Sequence, residues 1–187
     1  MDHPIPCTGS VVRAILADRQ TQDRRPILVK RRPFLARDWA KAIQLADGTW
    51  SFWYPGDVTE EFAQQAYPNG GGVKQPWQVG DHLWVRETWA LALCEKQAKE
   101  TLTGQSFHDV LHIIRDMEYD IEVGYRATNP DYLRTSEAAG EFPHGWCPSI
   151  HMPKWAARIW LEVLDVRPEQ DATGVWVWVT EFRRMEG

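Results

Sequence analysis

Gly80-Asp81-His82-Leu83-Trp84-Val85-Arg86 (residues 80–86) opens on a turn and runs on as a strand of alternating character. Stretches of the same kind lie on both sides of it. Toward the C-terminus, residues 121–127 read as a short strand. Residues 159–166 and 175–182 read as two more, with hydrophobic and polar positions alternating. Toward the N-terminus, Ile27-Leu28-Val29 and the aromatic run from Trp50 to Tyr54 read as strands, with a turn at Asp47-Gly48 between them. Short strands with a few helices among them favour a small closed barrel, because closure removes exposed strand edges. The expected fold class is α+β, a small β-barrel with inserted and flanking helices.

The helices are fewer. Residues 10–19 place Val11, Ala14, Ile15 and Ala17 or Asp18 around a short helix, for which Ser10 is the natural N-cap. Asp57-Val58-Thr59-Glu60 has the form of a capping box opening a helix through Ala66, and Asn69-Gly70-Gly71-Gly72 closes that block as a loop. From Glu95 to Asp120 the pattern is helical, with Ser106 and Asp109 at its clearer start and an apolar stripe from Val110 to Met117. Residues 136–148 form a Gly- and Pro-containing loop that leads to a short helical piece at 154–157. Internal repeats and low-complexity tracts are absent. One domain over residues 1–187 is expected, with insertions near 30–75 and 92–120.

The chain has 187 residues, enough for one well-buried core and short for two. Its 11 tryptophans set it apart, since each is a large stiff surface with one N–H to satisfy. Some must share a core, and others would offer stacking surface to bases. No basic leader precedes an apolar run, and no stretch approaches the about 18 apolar residues of a membrane span. Cys7, Cys94 and Cys147 are odd in number and include no CxxC pair, which speaks against a disulfide framework and a structural zinc site. The expected setting is the cytoplasm. The net charge of −5 is uneven: residues 1–41 carry nine Lys/Arg against four Asp/Glu, and the remainder is acidic. The basic run from Arg24 to Arg32 would meet phosphates or else be a solvated edge. The acidic remainder excludes long sequence-independent tracking along DNA.

Three segments together resemble the ASCH-domain proteins common in phages and prophages. They are residues 12–26 (VRAILADRQTQDRRP), residues 79–90 (VGDHLWVRETWA) and residues 146–159 (WCPSIHMPKWAARI), completed by WVWVTEF at 176–182. The resemblance covers most of the chain outside 30–75 and 92–120. It implies a PUA-like barrel, a fold associated with binding RNA or modified nucleosides. No cofactor and no metal are expected. Some relatives resemble amidohydrolases that deacylate a modified cytidine, and others have been linked to RNA cleavage.

In the hydrolytic relatives the first segment ends in a Lys-Thr-x-Thr pattern supplying base and nucleophile. A glutamate from a later helix completes the set. Here the run is Gln20-Thr21-Gln22-Asp23, and residues 166–174 are only a short connection between the last two strands. Gln20 cannot act as a base and Asp23 is no hydroxyl, so the expectation is a domain without the family's amidohydrolase activity. A rearranged hydrolase would draw on Asp23 and Glu87 as carboxylates with Thr21 or Ser149 as hydroxyls. Glu87 has a second reading, as a structural ion pair with Arg86, Arg13 or Arg158. His108 and His112 stand at i, i+4, but an aspartate replaces the HExxH glutamate and no third ligand is evident. His144, Cys147 and His151 are metal-compatible types, yet His151 falls in the family segment, where it fixes backbone or lines the pocket.

The expected ligand pocket gathers Arg13, Arg24, Arg25, Trp84, Arg86, Glu87, Ser149 and His151. The arginines would meet phosphate or a base edge, Trp84 would stack or floor the site, and Glu87 would accept from a base amine or hold an arginine. The expected partner is a nucleoside or RNA-like ligand. The rival from another class is a repurposed phage protein that inhibits a host nucleic-acid or defence complex through exposed aromatics at Trp50, Phe52, Trp53 and Tyr54.

Overall fold

The computed structural model describes residues 1–29, 32–33, 41–53, 58–66, 72–93, 121–135 and 145–186. In chain order the strands are β1 (Asp2–Pro6), β2 (Gln22–Pro26), β3 (Leu28–Val29), β4 (Arg32–Pro33), β5 (Lys41–Gln44) and β6 (Trp50–Trp53). They continue as β7 (His82–Arg86), β8 (Trp89–Leu93), β9 (Ile121–Tyr125), β10 (Trp160–Gln170) and β11 (Trp176–Arg184). The α-helices are α1 (Gly9–Leu16), α2 (Glu60–Ala66) and α3 (Tyr132–Thr135). This is an α+β structure, mostly strand with few helices, and no sheet among the described residues closes on itself. No helix among them is long and apolar enough to cross a membrane. The expected helix at 95–120, with His108 and His112, lies outside the described residues, as do His144, Cys94, Tyr54 and most of the glycine loop at 69–72.

The described contacts fall into two compact units. The first comprises Met1, Thr21–His82 and Leu161–Met185. Its centre is antiparallel, with β11 between β10 and β2; Thr180 faces Val166 on one side and Asp23 on the other. Every residue from Trp176 to Thr180 is buried, so the middle strand is covered on both faces. The turn before β7 is held on β10, with Gly80 N donating to Val163 O at 2.9 Å and Val163 N to Asp81 O at 2.9 Å. A register shift between Val163 and Asp165 leaves Leu164 exposed, as a bulge does.

Of the aromatics expected to be exposed near residue 50, Phe52 and Trp50 are instead drawn inward. Phe52 is buried, with its ring edge-on to Trp176 at 4.9 Å, and the half-buried Trp50 is edge-on to Trp178 at 6.4 Å. Their apolar area makes that placement more favourable than solvent. The β5–β6 hairpin that carries them turns at Gly48, whose φ of +79° suits glycine. There Asp47 Oδ1 accepts from Thr49 N at 3.0 Å and Thr49 Oγ1 at 2.7 Å, bonds that hold the Asp47 carboxyl below its ordinary range. The β10–β11 hairpin repeats the device. Asp171 Oδ1 accepts from Thr173 N at 2.8 Å, Thr173 Oγ1 at 2.7 Å and Val175 N at 3.0 Å, again lowering the carboxyl. Helix α2 starts at Glu60, and Thr59 Oγ1 accepts from Phe62 N at 3.2 Å as its cap; Asp57 lies outside the described residues.

Charge, rather than apolar alternation, occupies the outer positions of β2. Gln22 and Arg24 lie on one face with Val179 and Glu181 of β11 and with Arg167 of β10, because residues opposite in register share a face. Arg167 bonds to Asp165, to Glu169 at 2.9 Å and to Glu181 at 2.9 Å, and Arg24 pairs with Glu169. Those carboxylates push the Arg167 guanidinium further above its ordinary range, its bond to Asp165 contributing most. Val179 sits between Arg24 and Arg167 in register and is fully buried.

The second unit comprises Asp2–Gln20, Leu83–Trp160 and the last two residues. Strand β1 lies beside β7, where Cys7 N donates to Arg86 O at 2.9 Å. Helix α1 buries Val12 and Ile15 one turn apart. That face fixes its start at Gly9, with Thr8 rather than Ser10 as N-cap, and it ends at Leu16, short of Arg19, because Asp18 turns to φ +52°. The antiparallel β8–β9 pair aligns Trp89 with Tyr125 and Ala90 with Gly124. Residue 147 is bridged to this pair, Cys147 N donating to Trp89 O at 2.7 Å. Tyr132 of α3 packs its ring on Gly124, where any Cβ would collide with it.

Candidate functional site

The second unit holds a cavity of about 340 Å³ lined by Gly9, Arg13, Thr88, Arg126, Ala127 and Pro130. Three local structures bring these residues together. Helix α1 contributes Gly9 at its first turn and Arg13 one turn on. The link between β7 and β8 supplies Thr88. The third is the turn after β9, where Arg126 N donates to Thr88 O at 3.1 Å and Asn129 N to Tyr125 O at 2.9 Å. Arg13 Nη1 donates to Ala127 O at 3.2 Å, which holds that guanidinium against the same turn. Neither Arg13 nor Arg126 is paired with a carboxylate among the described residues. In this they differ from Arg24, Arg25, Arg158, Arg167 and Arg183, each of which is ion-paired.

The residues just before Thr88 and Arg126, Glu87 and Tyr125, belong to a different arrangement. Glu87 is 1% exposed and takes both oxygens to one guanidinium: Arg158 Nε at 2.9 Å and Nη2 at 3.1 Å. Arg158 stacks over the Tyr125 ring at 4.0 Å, and Tyr125 Oη donates to Ala156 O at 2.8 Å. Burial pushes the Tyr125 hydroxyl up; Arg158 opposes the shift and Glu87 adds to it, so the group stays a donor. Glu87 N is directed at Met152 Sδ at 3.3 Å. A bidentate fork with both carboxylate oxygens occupied orients two strands and a turn, and leaves Glu87 poorly placed to accept a substrate proton.

Of the eight residues expected at a ligand pocket, Arg13 is the one that lines this cavity. Trp84 is buried beneath Arg86, whose guanidinium carbon lies 4.8 Å from the ring centroid, so it presents no open stacking face. Ser149 and His151 occupy a 3-10 turn (Ser149–His151) in which His151 N donates to Pro148 O. Arg24 and Arg25 belong to the first unit and are ion-paired there, Arg24 with Glu169 and Arg25 with Asp23. Arg25 also lies over the Trp77 ring at 5.7 Å. They are sheet-face arginines, each sharing its charge with a neighbouring carboxylate, and they do not line the Arg13 cavity. Thr21 contributes its backbone, accepting from Phe182 N at 2.9 Å. Both candidate catalytic carboxylates, Asp23 and Glu87, are therefore engaged by arginines. No group of three or more His, Cys, Asp or Glu among the described residues is arranged to hold a metal ion.

Sequence reasoning missed Arg126, Thr88, Gly9, Ala127 and Pro130. The available signal was Arg126-Ala127-Thr128-Asn129-Pro130, a cation at a strand end running into an Asn-Pro turn. Nothing in that spacing says that residue 13 meets it across the fold. No family model, curated protein or solved structure matches the chain.

Proposed function

We propose that the chain is an ASCH-type, PUA-like barrel domain that binds a nucleoside or nucleic-acid (RNA-like) ligand and lacks the amidohydrolase activity of hydrolytic relatives. The observation that carries the reading is the cavity with two guanidiniums, Arg13 and Arg126, neither paired with a carboxylate among the described residues. Its size lies at the lower end of small-ligand pockets, which run from roughly 300 to 1,000 Å³. Planar guanidinium forks match phosphate oxygens and base edges alike. The ion pairs of Asp23 and Glu87 support the non-hydrolytic half of the reading. Of the aromatics on which the rival reading as an inhibitor of a host complex draws, Phe52 is buried and Trp50 and Trp53 are half-buried.

Fluorescence anisotropy with single-stranded RNA tests the proposal. Arg13→Ala and Arg126→Ala are each expected to weaken binding by about tenfold or more, the worth of one charge-assisted hydrogen bond. Unchanged affinity in both variants overturns it. Turnover of an acylated cytidine that disappears in Glu87→Gln would overturn the non-hydrolytic part alone.

A further inference from the structure

We infer that the Arg13–Arg126 cavity selects a terminal phosphate monoester over an internal phosphodiester. The inference rests on the reading of this cavity as a nucleotide site and names the chemical group that the site prefers. Three features of the second unit carry it.

The first is a charge count. Arg13 and Arg126 bring two full positive charges to one cavity, with no carboxylate paired to either among the described residues. The eight-residue helix α1 begins at the lining residue Gly9, and Thr8 makes no side-chain bond to cap it. Its first-turn amides add about half a positive charge. A phosphodiester, with one negative charge, leaves most of this unanswered. A monoester above its second pKa of about 6 carries close to two.

The second is a donor count. Arg13 spends one N–H on Ala127 O and keeps the rest of its fork, and Arg126 has no side-chain partner among the described residues. Two forks and a helix end offer more donors than the two free oxygens of a diester accept. The three terminal oxygens of a monoester use them better.

The third is that no histidine is among the described residues on the elements that form the cavity. The ionisable side chains on α1, the 87–88 link, β9 and the turn after it are Arg13, Glu87, Glu122, Tyr125, Arg126 and Asp131. Glu87 is bound to Arg158, and no histidine is among the six. The ligand's phosphate itself passes from mostly monoanion to mostly dianion between about pH 5 and pH 7.5.

Calorimetric titration of the whole chain with uridine, uridine 5′-monophosphate and the dinucleoside monophosphate UpU tests this at pH 5 and pH 7.5. The monophosphate is expected to bind tightest. Its affinity should rise about tenfold with pH, as the dianion grows from about a tenth of the population to nearly all of it. UpU should bind more weakly at both pH values without a trend. Arg126→Ala, whose folding is checked by its thermal transition, should abolish the preference and the pH trend together. Equal, pH-independent binding of the monophosphate and UpU, weakened alike by Arg126→Ala, would sink the inference while leaving the nucleotide site standing. No binding of any of the three ligands, or of single-stranded RNA, would remove both. A monophosphate preference that survives in Arg13→Lys and Arg126→Ala alike would place the phosphate elsewhere and overturn the inference.

Discussion

At residue scale the informative contrast is between arginines that are answered and arginines that are not. Arg158 is answered: its side chain is 28% exposed, and it closes both oxygens of the buried Glu87. Removing it strands a carboxylate away from water, which costs far more than the pair itself contributes. Arg158→Ala is expected to lower unfolding stability by about 3 kcal/mol, and Glu87→Gln by clearly less, because an amide needs no countercharge. Urea denaturation read by tryptophan fluorescence measures both; equal losses would mean that the fork is not what holds Glu87. The pairing of Glu87 with an arginine was one of the readings open from sequence, though Arg86 and Arg13 competed with Arg158 for it. Arg13 stood out because it lies on an amphipathic helix in a family-like segment. Arg126 did not, because a lone cation at a strand end resembles any solvated residue until its neighbour across the fold is known.

At the scale of elements, strands with an apolar rhythm were legible and strands without one were not. The segments around residues 82–86, 121–125 and 176–182 alternate or run apolar, and all three are strands. Strand β2, Gln22-Asp23-Arg24-Arg25-Pro26, has no apolar rhythm, because its outward positions pair with charges on β10 and β11. The reading of its residues as a catalytic remnant obscured it further. Strand β10 also runs to Gln170, past the expected end at Val166. Pro168 is accommodated there because its missing N–H falls beyond the stretch paired to residues 80–85. The β9 turn that presents Arg126 depends on an element contact, the Tyr132 ring lying flat on Gly124. Gly124→Ala is expected to destabilise by about 2 kcal/mol through overpacking, and Tyr132→Ala in the same chain to recover part of that loss. A double-mutant cycle by thermal denaturation decides it: additive losses would mean that the ring and the strand do not meet.

At the scale of the molecule, the sequence separates a basic first stretch from an acidic remainder, and the fold undoes part of that separation. Arg24 and Arg25 find Glu169 and Asp23, so these two cations of the basic run are each shared with a carboxylate. A whole-chain net charge of −5 adds a repulsive background. Binding to single-stranded RNA should therefore involve about two phosphate charges, with a slope of log affinity against log salt near −1.4. A titration series in sodium chloride measures this. A slope beyond about −4 would require a broad basic surface and contradict a site made of Arg13 and Arg126. The α+β, strand-rich character was readable from turn spacing and strand length. The closed barrel expected from short strands is not among the described sheets; pairing between distant strands leaves no mark in a local pattern.

The cluster around Arg167 has a consequence for how such a chain can drift. One guanidinium serves Asp165, Glu169 and Glu181, and Glu169 also holds Arg24. A neutral replacement of Arg167 would leave three like charges adjacent on two paired strands, so the next tolerated change has to come from among the acids. Any one acid, by contrast, can be lost while the others keep the arginine satisfied. Descendants of this sequence would be free to shed the carboxylates one at a time and would part with Arg167 last. The charged cluster would then have a preferred order of substitution, set by the number of partners each charge serves.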